Sequence, residues 1–464
     1  MDLKIAYIGG GSRGWAWGLM SDLALEPALS GTVALYDINL AAAKANEQIG
    51  NQLLEHPEAV GRWRYEAVET LPEALKGADF VIISILPGTF AEMQSDVHAP
   101  EAYGVYQSVG DTVGPGGAIR ALRSIPMYAE IAAAIRDHAP SAWVINYTNP
   151  MSVLTRTLYE VFPGIKAFGC CHEVFGTQSL LAEMLKNMQG IEDVRRQDIE
   201  VNVLGINHFT WLDRASYRGT NLFPLYREFA VKYAAEGFSG HADKDHWINN
   251  SFSSANRIHF DLFLRFGLIA AAGDRHLAEF LPNTWYLRDP EHVKRWKFGL
   301  TTVSWRTDNQ KKLLDRSSRL VSGEEAFTLK NSGEEGIAML RSLTGASGPI
   351  VTNVNLPNRG QVASLPLGAV VETNAVFSAD SVQPVLAGSL PDDINNLVIR
   401  HVYNQEALVK ASLNHNRELA LRAFTNDPLL SALTPEQAEE LFVTMLNNTK
   451  AYLPDWLLEP YVKA

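Results

Sequence analysis

The feature that most constrains the fold is a glycine-rich turn after the first apolar run of the chain. Residues 3–8 predict a buried strand, and the next six, Gly-Gly-Gly-Ser-Arg-Gly at 9–14, fit the pattern G-x-G-x-x-G and lead into a predicted helix over 14–25. Between a strand and a helix, such glycines allow a tight turn and a close approach of the backbone to a pyrophosphate. The sequence therefore predicts a dinucleotide-binding βαβ unit.

An acidic residue at the end of the second predicted strand indicates which dinucleotide is bound. That strand covers 32–37 and ends at Asp37, placed to hydrogen bond the adenosine ribose hydroxyls. This favours NAD over NADP, while FAD shares the glycine pattern and stays open at this point. The residues assigned to the cofactor are Gly9, Gly11, Ser12, Arg13, Gly14 and Asp37.

Strands and helices continue to alternate after this unit. A helix is predicted at 40–55, buried strands at 79–85 and 142–146, and an amphipathic helix at 118–138. Apolar strands alternating with helices indicate an α/β fold with a parallel sheet covered on both faces, a Rossmann-type doubly wound sheet like that of lactate and malate dehydrogenases.

The rhythm changes near residue 200, where a strand at 198–205 is followed by long helical patterns from about 220 to 345. A β-rich segment at 349–373 and helices at 390–424 and 435–450 complete the chain. At 464 residues the chain is long enough for two cores. We divide it into an NAD-binding domain, 1–200, and a mixed α+β, largely helical domain for substrate, metal and oligomerisation, 201–464.

Charge and cysteine content exclude several classes of protein. The net charge of −12 argues against nucleic acid as a partner, because such binding depends on clusters of lysine and arginine. The two cysteines, Cys170 and Cys171, are sequence neighbours and make poor disulfide partners, which favours the reducing cytoplasm. No apolar run reaches the ~18 residues of a membrane span, so we expect no membrane partner.

Polar residues cluster after three further predicted strands or turns. Cys171 and His172 follow one strand and His208 follows another, so a thiolate and an imidazole could hold a divalent metal, although a buried cysteine and a core histidine are an equally good reading. The segment 108–117, which contains Asp111 and four glycines, precedes a helix that favours an anion, or it simply caps that helix. Asn149 follows the strand at 142–146 at an edge where Rossmann-type folds place ligands, or it starts an ordinary Asn-Pro turn.

Taken together, these segments resemble glycoside hydrolase family 4 over nearly the whole chain. The resemblance rests on the amino-terminal glycine turn and on five further motifs in the expected order: Asp-Thr-Val-Gly-Pro-Gly-Gly at 111–117, Asn-Tyr-Thr-Asn-Pro-Met at 146–151, Cys-His-Glu-Val at 171–174, Gly-Ile-Asn-His at 205–208, and Arg-Phe-Gly at 265–267 with Asp-Arg-His-Leu-Ala-Glu at 274–279. The residues after the cysteine resemble those of the α-galacturonidase subgroup, whereas Cys-His-Ser-Val is typical of α-glucosidases and α-galactosidases.

The resemblance implies a redox route to glycosidic cleavage, an exception to the usual scheme with two carboxylates. In that route NAD+ accepts hydride from the sugar 3-hydroxyl, a base removes the acidified 2-proton, and the glycosidic bond leaves by elimination. Water then adds to the anomeric carbon and the hydride returns. A divalent metal, usually Mn2+, stabilises the enediolate.

The resemblance also implies a role for each candidate residue. Cys171 and His208 would bind the metal, and Asn149, Asn207 and Asp111 would hold the sugar. His172 would act on the leaving oxygen, and Asp261 is the candidate base, with an ordinary polar helix position as its alternative. A uronate carboxylate needs a cation, for which Arg13, Arg120 and Arg275 are candidates, although Arg13 could equally contact pyrophosphate.

Other readings of the sequence remain open at this stage. Within the family the substrate could be an α-glucoside, an α-galactoside or an α-glucuronide. Outside it, the chain could be a 2-hydroxy-acid dehydrogenase or a non-catalytic NAD-binding module. The family resemblance also implies a homodimer or a homotetramer.

Overall fold

The protein forms two β-sheets joined and covered by helices, in a computed structural model that describes residues 2–239 and 254–459. The strands of the described residues are β1 (Asp2–Ile8), β2 (Ser30–Tyr36), β3 (Arg62–Val68), β4 (Phe80–Ile83), β5 (Trp143–Asn146), β6 (Lys166–Gly169), β7 (Ile199–Ile206), β8 (Phe209–Tyr217), β9 (Thr220–Asn221), β10 (Ile269–Ala270), β11 (Ile350–Pro357), β12 (Val370–Ser378) and β13 (Ser381–Pro384).

The α-helices of the same residues fill the connections between strands and most of the carboxyl-terminal third. They are α1 (Trp15–Ala24), α2 (Leu40–Gln52), α3 (Leu71–Leu75), α4 (Phe90–His98), α5 (Gly114–His138), α6 (Met151–Val161), α7 (Glu173–Gln189), α8 (Phe223–Tyr233), α9 (Arg257–Phe266), α10 (Asp274–Leu277), α11 (Asn283–Tyr286), α12 (Pro290–Trp296), α13 (Val303–Ser322), α14 (Gly336–Leu343), α15 (Asp392–Leu413), α16 (Arg417–Thr425), α17 (Pro435–Asn448) and α18 (Asp455–Leu458). Within the described ranges, none of these helices combines the length and apolarity that a membrane crossing requires.

The first sheet has nine strands in the order β13-β12-β11-β6-β5-β4-β1-β2-β3. The six strands from β6 to β3 are parallel, and β1 lies between β4 and β2 with Ile5 opposite Phe80 on one side and Val33 on the other. The central strands β1 and β4 are largely apolar and buried, as expected when helices cover both faces. The predicted Rossmann-type doubly wound sheet is confirmed.

An antiparallel extension of this sheet comes from much later in the chain. β11 pairs with β6 at Asn355 and Gly169, and β12 and β13 continue outward as antiparallel strands. The sequence indicated a β-rich segment here but not which sheet it joins, since an apolar strand pattern does not specify its partner. The amino-terminal sheet thus includes residues from beyond position 349, and the domain division at residue 200 stays a prediction.

The second sheet is small and antiparallel, with the order β10-β8-β7 and with β9 paired to β8. β7 and β8 are joined by a turn of two residues, Asn207 and His208, and His208 adopts a left-handed conformation with φ 64°. Such a φ is uncommon outside glycine, and histidine is among the residues that adopt it more often. The turn places the two polar residues, both buried, at the more apolar end of the hairpin, where 203–206 pair with 209–212.

Three of the four glycines of segment 108–117, Gly114, Gly116 and Gly117, lie in the first turn of α5, and Gly110 alone precedes the helix. A Cβ atom on Gly116 would lie 2.6 Å from the Asp96 carbonyl oxygen, and one on Gly117 would lie 2.5 Å from the Thr112 carbonyl carbon. The Gly114 amide donates to the Asp427 carboxylate at 2.9 Å. These glycines therefore allow the loop to fold back on its own helix, and this helix start is occupied by a protein carboxylate.

Candidate active site

The glycine turn lies at the point where the strand order of the large sheet reverses. The amides of Gly9 and Gly10 both donate to the Tyr36 carbonyl at 2.9 Å, which closes the turn over the end of β2. Gly9 has φ +94°, and a Cβ there would lie 2.0 Å from the Ser84 carbonyl oxygen beyond β4. Glycine at this position is therefore required both by conformation and by space. A crevice at such a switch point is where open α/β sheets bind ligands.

Asp37 is fixed beside the turn. Its carboxylate accepts hydrogen bonds from the amides of Gly11 at 2.9 Å and Asn39 at 2.8 Å. The first residue of α1 follows Gly14 directly, and no side chain caps this helix start, so its amides can meet an anion. The Nε atom of Arg13 is buried and has no hydrogen-bond partner in the described residues. These features fit a dinucleotide with its pyrophosphate at the helix start.

Gly14 differs from the other two glycines of the pattern. A Cβ atom there would meet no other atom within 4 Å, and its φ is −123°. Neither conformation nor space in the protein itself demands glycine at this position.

Three residues from distant parts of the chain meet beside the turn between β7 and β8. One ligand atom each of Asp111, His208 and His276 lies within 4.8 Å of the others, and the two imidazole rings have centroids 3.7 Å apart. The Thr112 hydroxyl pairs with His208 Nδ1 at 2.9 Å, and the buried Nδ1 of His276 has no hydrogen-bond partner in the described residues. One carboxylate and two imidazoles with an unused nitrogen form a donor set that fits a first-row divalent metal.

The charges around this cluster are consistent with cation binding. Burial and the neighbouring His276 ring lower the pKa of His208 to about 3, so its imidazole is neutral, the form that ligates metals. Burial raises the pKa of Glu173, but His276 and the other groups around the carboxylate outweigh it and bring the pKa to about 2. Glu173 accepts the Gly273 amide at 2.6 Å and lies 3.6 Å from His276 Nε2.

Glu279 holds the loop that carries Asp111. One oxygen of its buried carboxyl accepts the amides of Val109 at 2.7 Å and Gly110 at 2.9 Å, and the other has no hydrogen-bond partner in the described residues. Burial raises the pKa of Glu279 to about 8. The two amides favour the ionised form of this carboxyl, and burial outweighs them.

The predicted sugar ligands Asn149, Asp111 and Arg120 lie together. The Asn149 amide nitrogen donates to Asp111 at 3.2 Å, and Arg120 Nε donates to the Asn149 carbonyl at 2.9 Å. The Asn149–Pro150 peptide bond is cis. Arg275 has different neighbours: its guanidinium donates to the carbonyls of Gly299 at 3.1 Å and Ser108 at 2.7 Å.

Cys171 and Asn207 lie near the buried carboxylate of Glu372. Burial raises the pKa of the Cys171 thiol, to which Asn207 is hydrogen bonded. Asn207 also donates to Glu372 at 3.3 Å. In the described part of the chain, Cys171 does not join a group of three metal-ligating side chains as compact as that of Asp111, His208 and His276. Its assignment as a metal ligand stays a prediction.

His172 lies at the exposed edge of the site. Its Nδ1 is 3.2 Å from the carboxylate of Glu334, which raises the pKa of the imidazole, and Trp15 has its ring centroid 6.4 Å away. A cavity of about 560 Å³ opens beside His172 and Glu173 and extends between α7 and the segment 332–334. Its lining includes Glu173, which lies 3.6 Å from His276, but none of the three cluster residues.

Asp261, the predicted base, lies on α9 and has hydrogen-bond partners on α9 and α11. Its carboxylate accepts Arg265 Nε at 2.7 Å and the Tyr286 hydroxyl at 2.6 Å. None of the contacts observed for it in residues 2–239 and 254–459 joins it to the cluster, and its catalytic role stays a prediction.

Sequence reasoning missed four acidic or histidine side chains of this region. His276, Glu173 and Glu279 lie inside motifs that carry the family resemblance, so membership of a motif was a usable signal for them. Glu372 lies in a β-rich segment between apolar residues, and no local pattern distinguishes it.

Two family models match the chain. The model described as "Family 4 glycosyl hydrolase" matches residues 4–187, and the one described as "Family 4 glycosyl hydrolase C-terminal domain" matches residues 203–430.

Several proteins of known activity are similar over their full length. The α-galacturonidase of Thermoanaerobacterium saccharolyticum is 61% identical over 458 residues, which is 99% of this chain and 98% of that protein. The α-galacturonidase of Bacillus subtilis is 56% identical, over 96% of this chain and 97% of that protein. The α-galactosidase of Bacillus subtilis is only 28% identical, over 98% of this chain and 99% of that protein.

Solved structures show the same architecture. LplD of Bacillus subtilis, described as a glucosidase, has a TM-score of 0.91 at 55% identity, covering 96% of this chain and 100% of that one. A 6-phospho-α-glucosidase from gut microorganisms, solved with NAD and Mn2+, has a TM-score of 0.80 at 19% identity, covering 98% and 99%. At that identity the second likeness shows the fold alone.

Proposed function

Because the chain belongs to glycosyl hydrolase family 4, we propose that it hydrolyses α-galacturonides with NAD and a divalent metal, Mn2+, as cofactors. The observation that carries this proposal is the 61% identity to an α-galacturonidase over 99% of the chain, against 28% to an α-galactosidase. The Cys-His-Glu-Val sequence at 171–174 supports the same choice of sugar. Alternatives outside the family are no longer favoured.

The glycine turn and Asp37 would hold NAD. The unoccupied amides at the start of α1 and the buried Arg13 Nε suit the pyrophosphate, and the Asp37 carboxylate is already oriented by two backbone amides. Bound NAD would supply a reversible hydride acceptor, and a metal would supply a Lewis acid for sugar oxygens. No external oxidant or reductant would be consumed, because the hydride would return to the sugar.

His208 would bind the metal, together with Cys171 as the sequence predicts and with Asp111 and His276 as their positions support. Thr112 pairs with Nδ1 of His208, which leaves Nε2 as the ligating atom. Arg120 is the cation we assign to the uronate carboxylate, because it lies beside the predicted sugar ligands Asn149 and Asp111. The substitution Arg120→Lys would remove the planar pair of donors that suits a carboxylate.

His172 would hold a proton near the leaving oxygen. Its exposed ring is oriented by Glu334 at 3.2 Å, and the ion pair raises the imidazole pKa from its ordinary value. A protonated imidazole near neutral pH can donate to a departing alkoxide. Asp261 stays the candidate base.

We also propose a cytoplasmic homodimer or homotetramer. The two cysteines are free and buried, which suits a reducing compartment, and the oligomeric state is carried over from the family resemblance. Light scattering of the purified protein measures the oligomer directly.

A panel of 4-nitrophenyl glycosides tests the proposed substrate. With NAD+ and Mn2+ present, we expect hydrolysis of the α-galacturonide at a rate at least tenfold above the α-galactoside, the α-glucoside and the α-glucuronide, and loss of activity on chelation. No net NADH should accumulate during turnover. Hydrolysis of the neutral α-galactoside without the α-galacturonide would reject the proposal.

A further inference from the structure

Glu372, on β12, is a carboxylate that the proposed function does not use. It is 1% exposed, and both of its oxygens face asparagine amides. Oε1 accepts Asn353 Nδ2 at 2.6 Å, and Oε2 accepts Asn207 Nδ2 at 3.3 Å. Asn353 in turn donates to the carbonyl of Cys171 at 3.3 Å. The carboxylate thus lies directly beneath two residues of the candidate site.

Both oxygens of Glu372 accept hydrogen bonds from amide nitrogens, and this decides how Asn207 is oriented. Burial raises the pKa of Glu372 to about 7, so its purely accepting, ionised form is the main one above that pH. The amide must turn its NH2 group to Glu372, so its oxygen points elsewhere. Asn207 is fully buried, and its Oδ1 has no hydrogen-bond partner in residues 2–239 and 254–459. A buried acceptor without a partner is costly unless a ligand donates to it.

A second asparagine of the same site repeats this arrangement. The Nδ2 of Asn149 donates to Asp111 at 3.2 Å, and its Oδ1 is likewise buried without a partner in the described residues. The two asparagines meet the cluster from different sides, because Asn207 precedes His208 and Asn149 contacts Asp111. Two amides are therefore held by carboxylates with their oxygens left for a hydrogen-bond donor.

We propose that Glu372 is a positioning residue that locks Asn207 as a hydrogen-bond acceptor for a hydroxyl group of the sugar. The inference rests on the proposed function for the class of ligand. It goes beyond that function in explaining why the site requires a hydroxyl and rejects a group that cannot donate.

The substitution Glu372→Gln tests the proposal with little change in shape. The introduced glutamine has one acceptor and one NH2 group, and that NH2 must face the NH2 of either Asn207 or Asn353. Asn353 is also held by its bond to the Cys171 carbonyl, so we expect the clash at Asn207, whose amide then rotates and turns its own NH2 to the sugar. We expect kcat/KM for the α-galacturonide to fall roughly 10- to 100-fold, mostly through KM. Glu406→Gln, which changes a carboxylate paired with Arg156 at 3.0 Å, is the matched control and should stay within about twofold.

The double variant Glu372→Gln/Asn207→Asp separates orientation from mere packing. In it, the introduced glutamine donates to one oxygen of the introduced aspartate, and the other oxygen of that aspartate again accepts from the sugar. We expect Asn207→Asp alone to be as impaired as Glu372→Gln, since it sets two carboxylates against each other, and the double variant to recover at least tenfold in kcat/KM. If Glu372→Gln does not fold, the comparison of the double variant with Asn207→Asp gives the same test.

Analogues with one sugar hydroxyl replaced by fluorine give an independent measurement, because fluorine cannot donate. The analogues are measured as competitive inhibitors. We expect at least one of them to bind the wild-type protein tenfold or more weakly than the parent sugar does. This loss of affinity should be smaller in Glu372→Gln. Equal binding of all analogues to the wild-type protein, or a double variant no better than either single variant, would overturn the proposal. If the protein cleaves a different α-glycoside, the proposed substrate fails, and the same comparisons on that sugar still decide the role of Glu372.

Discussion

His208 and His276 place their imidazole rings with centroids 3.7 Å apart beside Asp111. Two imidazoles inclined at 34° to each other, one with a buried nitrogen that has no partner in the described residues, support the proposed metal site between them and the carboxylate. The neutral state of His208 avoids the competition between a proton and a metal for the same nitrogen.

Removal of individual ligands should therefore weaken metal binding. We expect His208→Ala and His276→Ala each to lower the affinity for Mn2+ at least about 100-fold in calorimetric titrations, and Cys171→Ser to do the same. Glu406→Gln, which changes a carboxylate paired with Arg156 and outside the cluster, is the control. Unchanged affinity in Cys171→Ser would contradict the assignment from the sequence and leave the other three residues as the protein ligands.

Glu279 should make the stability of the protein depend on pH. Its pKa is raised by burial from 4.5 to about 8, so the folded state binds a proton that the unfolded state releases between these values. The contribution of this group to the free energy of unfolding is fully present below pH 4.5 and is lost as the pH rises towards 8. Glutamine keeps the acceptor for the two amides and cannot ionise.

Urea unfolding of wild-type protein and Glu279→Gln at several pH values measures this effect. We expect the variant to gain stability relative to the wild type steadily from pH 5 to pH 8. A difference that stays constant across this range would show that Glu279 is ionised in the folded protein.

Residues of the site could be predicted from the sequence only where a motif carried them. Asp111, Asn149 and His208, which the motifs singled out, are brought together by loops of the two different sheets, and Asn207 precedes His208 in the same turn. The contact of Glu372 with Asn207 joins residues 165 positions apart, and only the packing of β12 against β7 of the other sheet brings them together.

At the scale of elements, the turn between β1 and α1 combines a steric constraint at Gly9 with an oriented carboxylate at Asp37. Asp37→Ala should weaken NAD+ binding roughly 10- to 100-fold, through loss of the ribose acceptor and of the bond that orders Gly11. Fluorescence titration of the protein with NADH measures this. Asp137→Ala, an exposed aspartate on α5, is the control, and equal affinities in the two variants would contradict the assigned role.

The main strands could be read from the sequence because buried parallel strands are continuous apolar runs. β3 lacks such a run, since Arg62, Arg64 and Glu66 alternate with buried aromatic residues at a position on the sheet edge. The placement of β11 to β13 on the first sheet was also beyond prediction. Pairing between segments nearly 200 residues apart is decided by the tertiary fold.

At the scale of the whole molecule, the two sheets contribute different chemistry to one site. The parallel sheet supplies the glycine turn and the loops with Asp111 and Asn149. The antiparallel sheet supplies His208 through the turn between β7 and β8. The account therefore requires that a dinucleotide and a metal reach the same sugar, and that a carbon-bound proton next to the anomeric centre is removed and replaced in each turnover.

Hydrolysis in heavy water tests this requirement most directly. The α-galacturonide is converted in D2O with NAD+ and Mn2+, and the galacturonate product is examined by proton NMR and mass spectrometry. We predict one deuterium at carbon 2 of every product molecule that has completed elimination and addition. A product that retains its original hydrogen at carbon 2 would contradict the redox route and indicate direct displacement at the anomeric carbon.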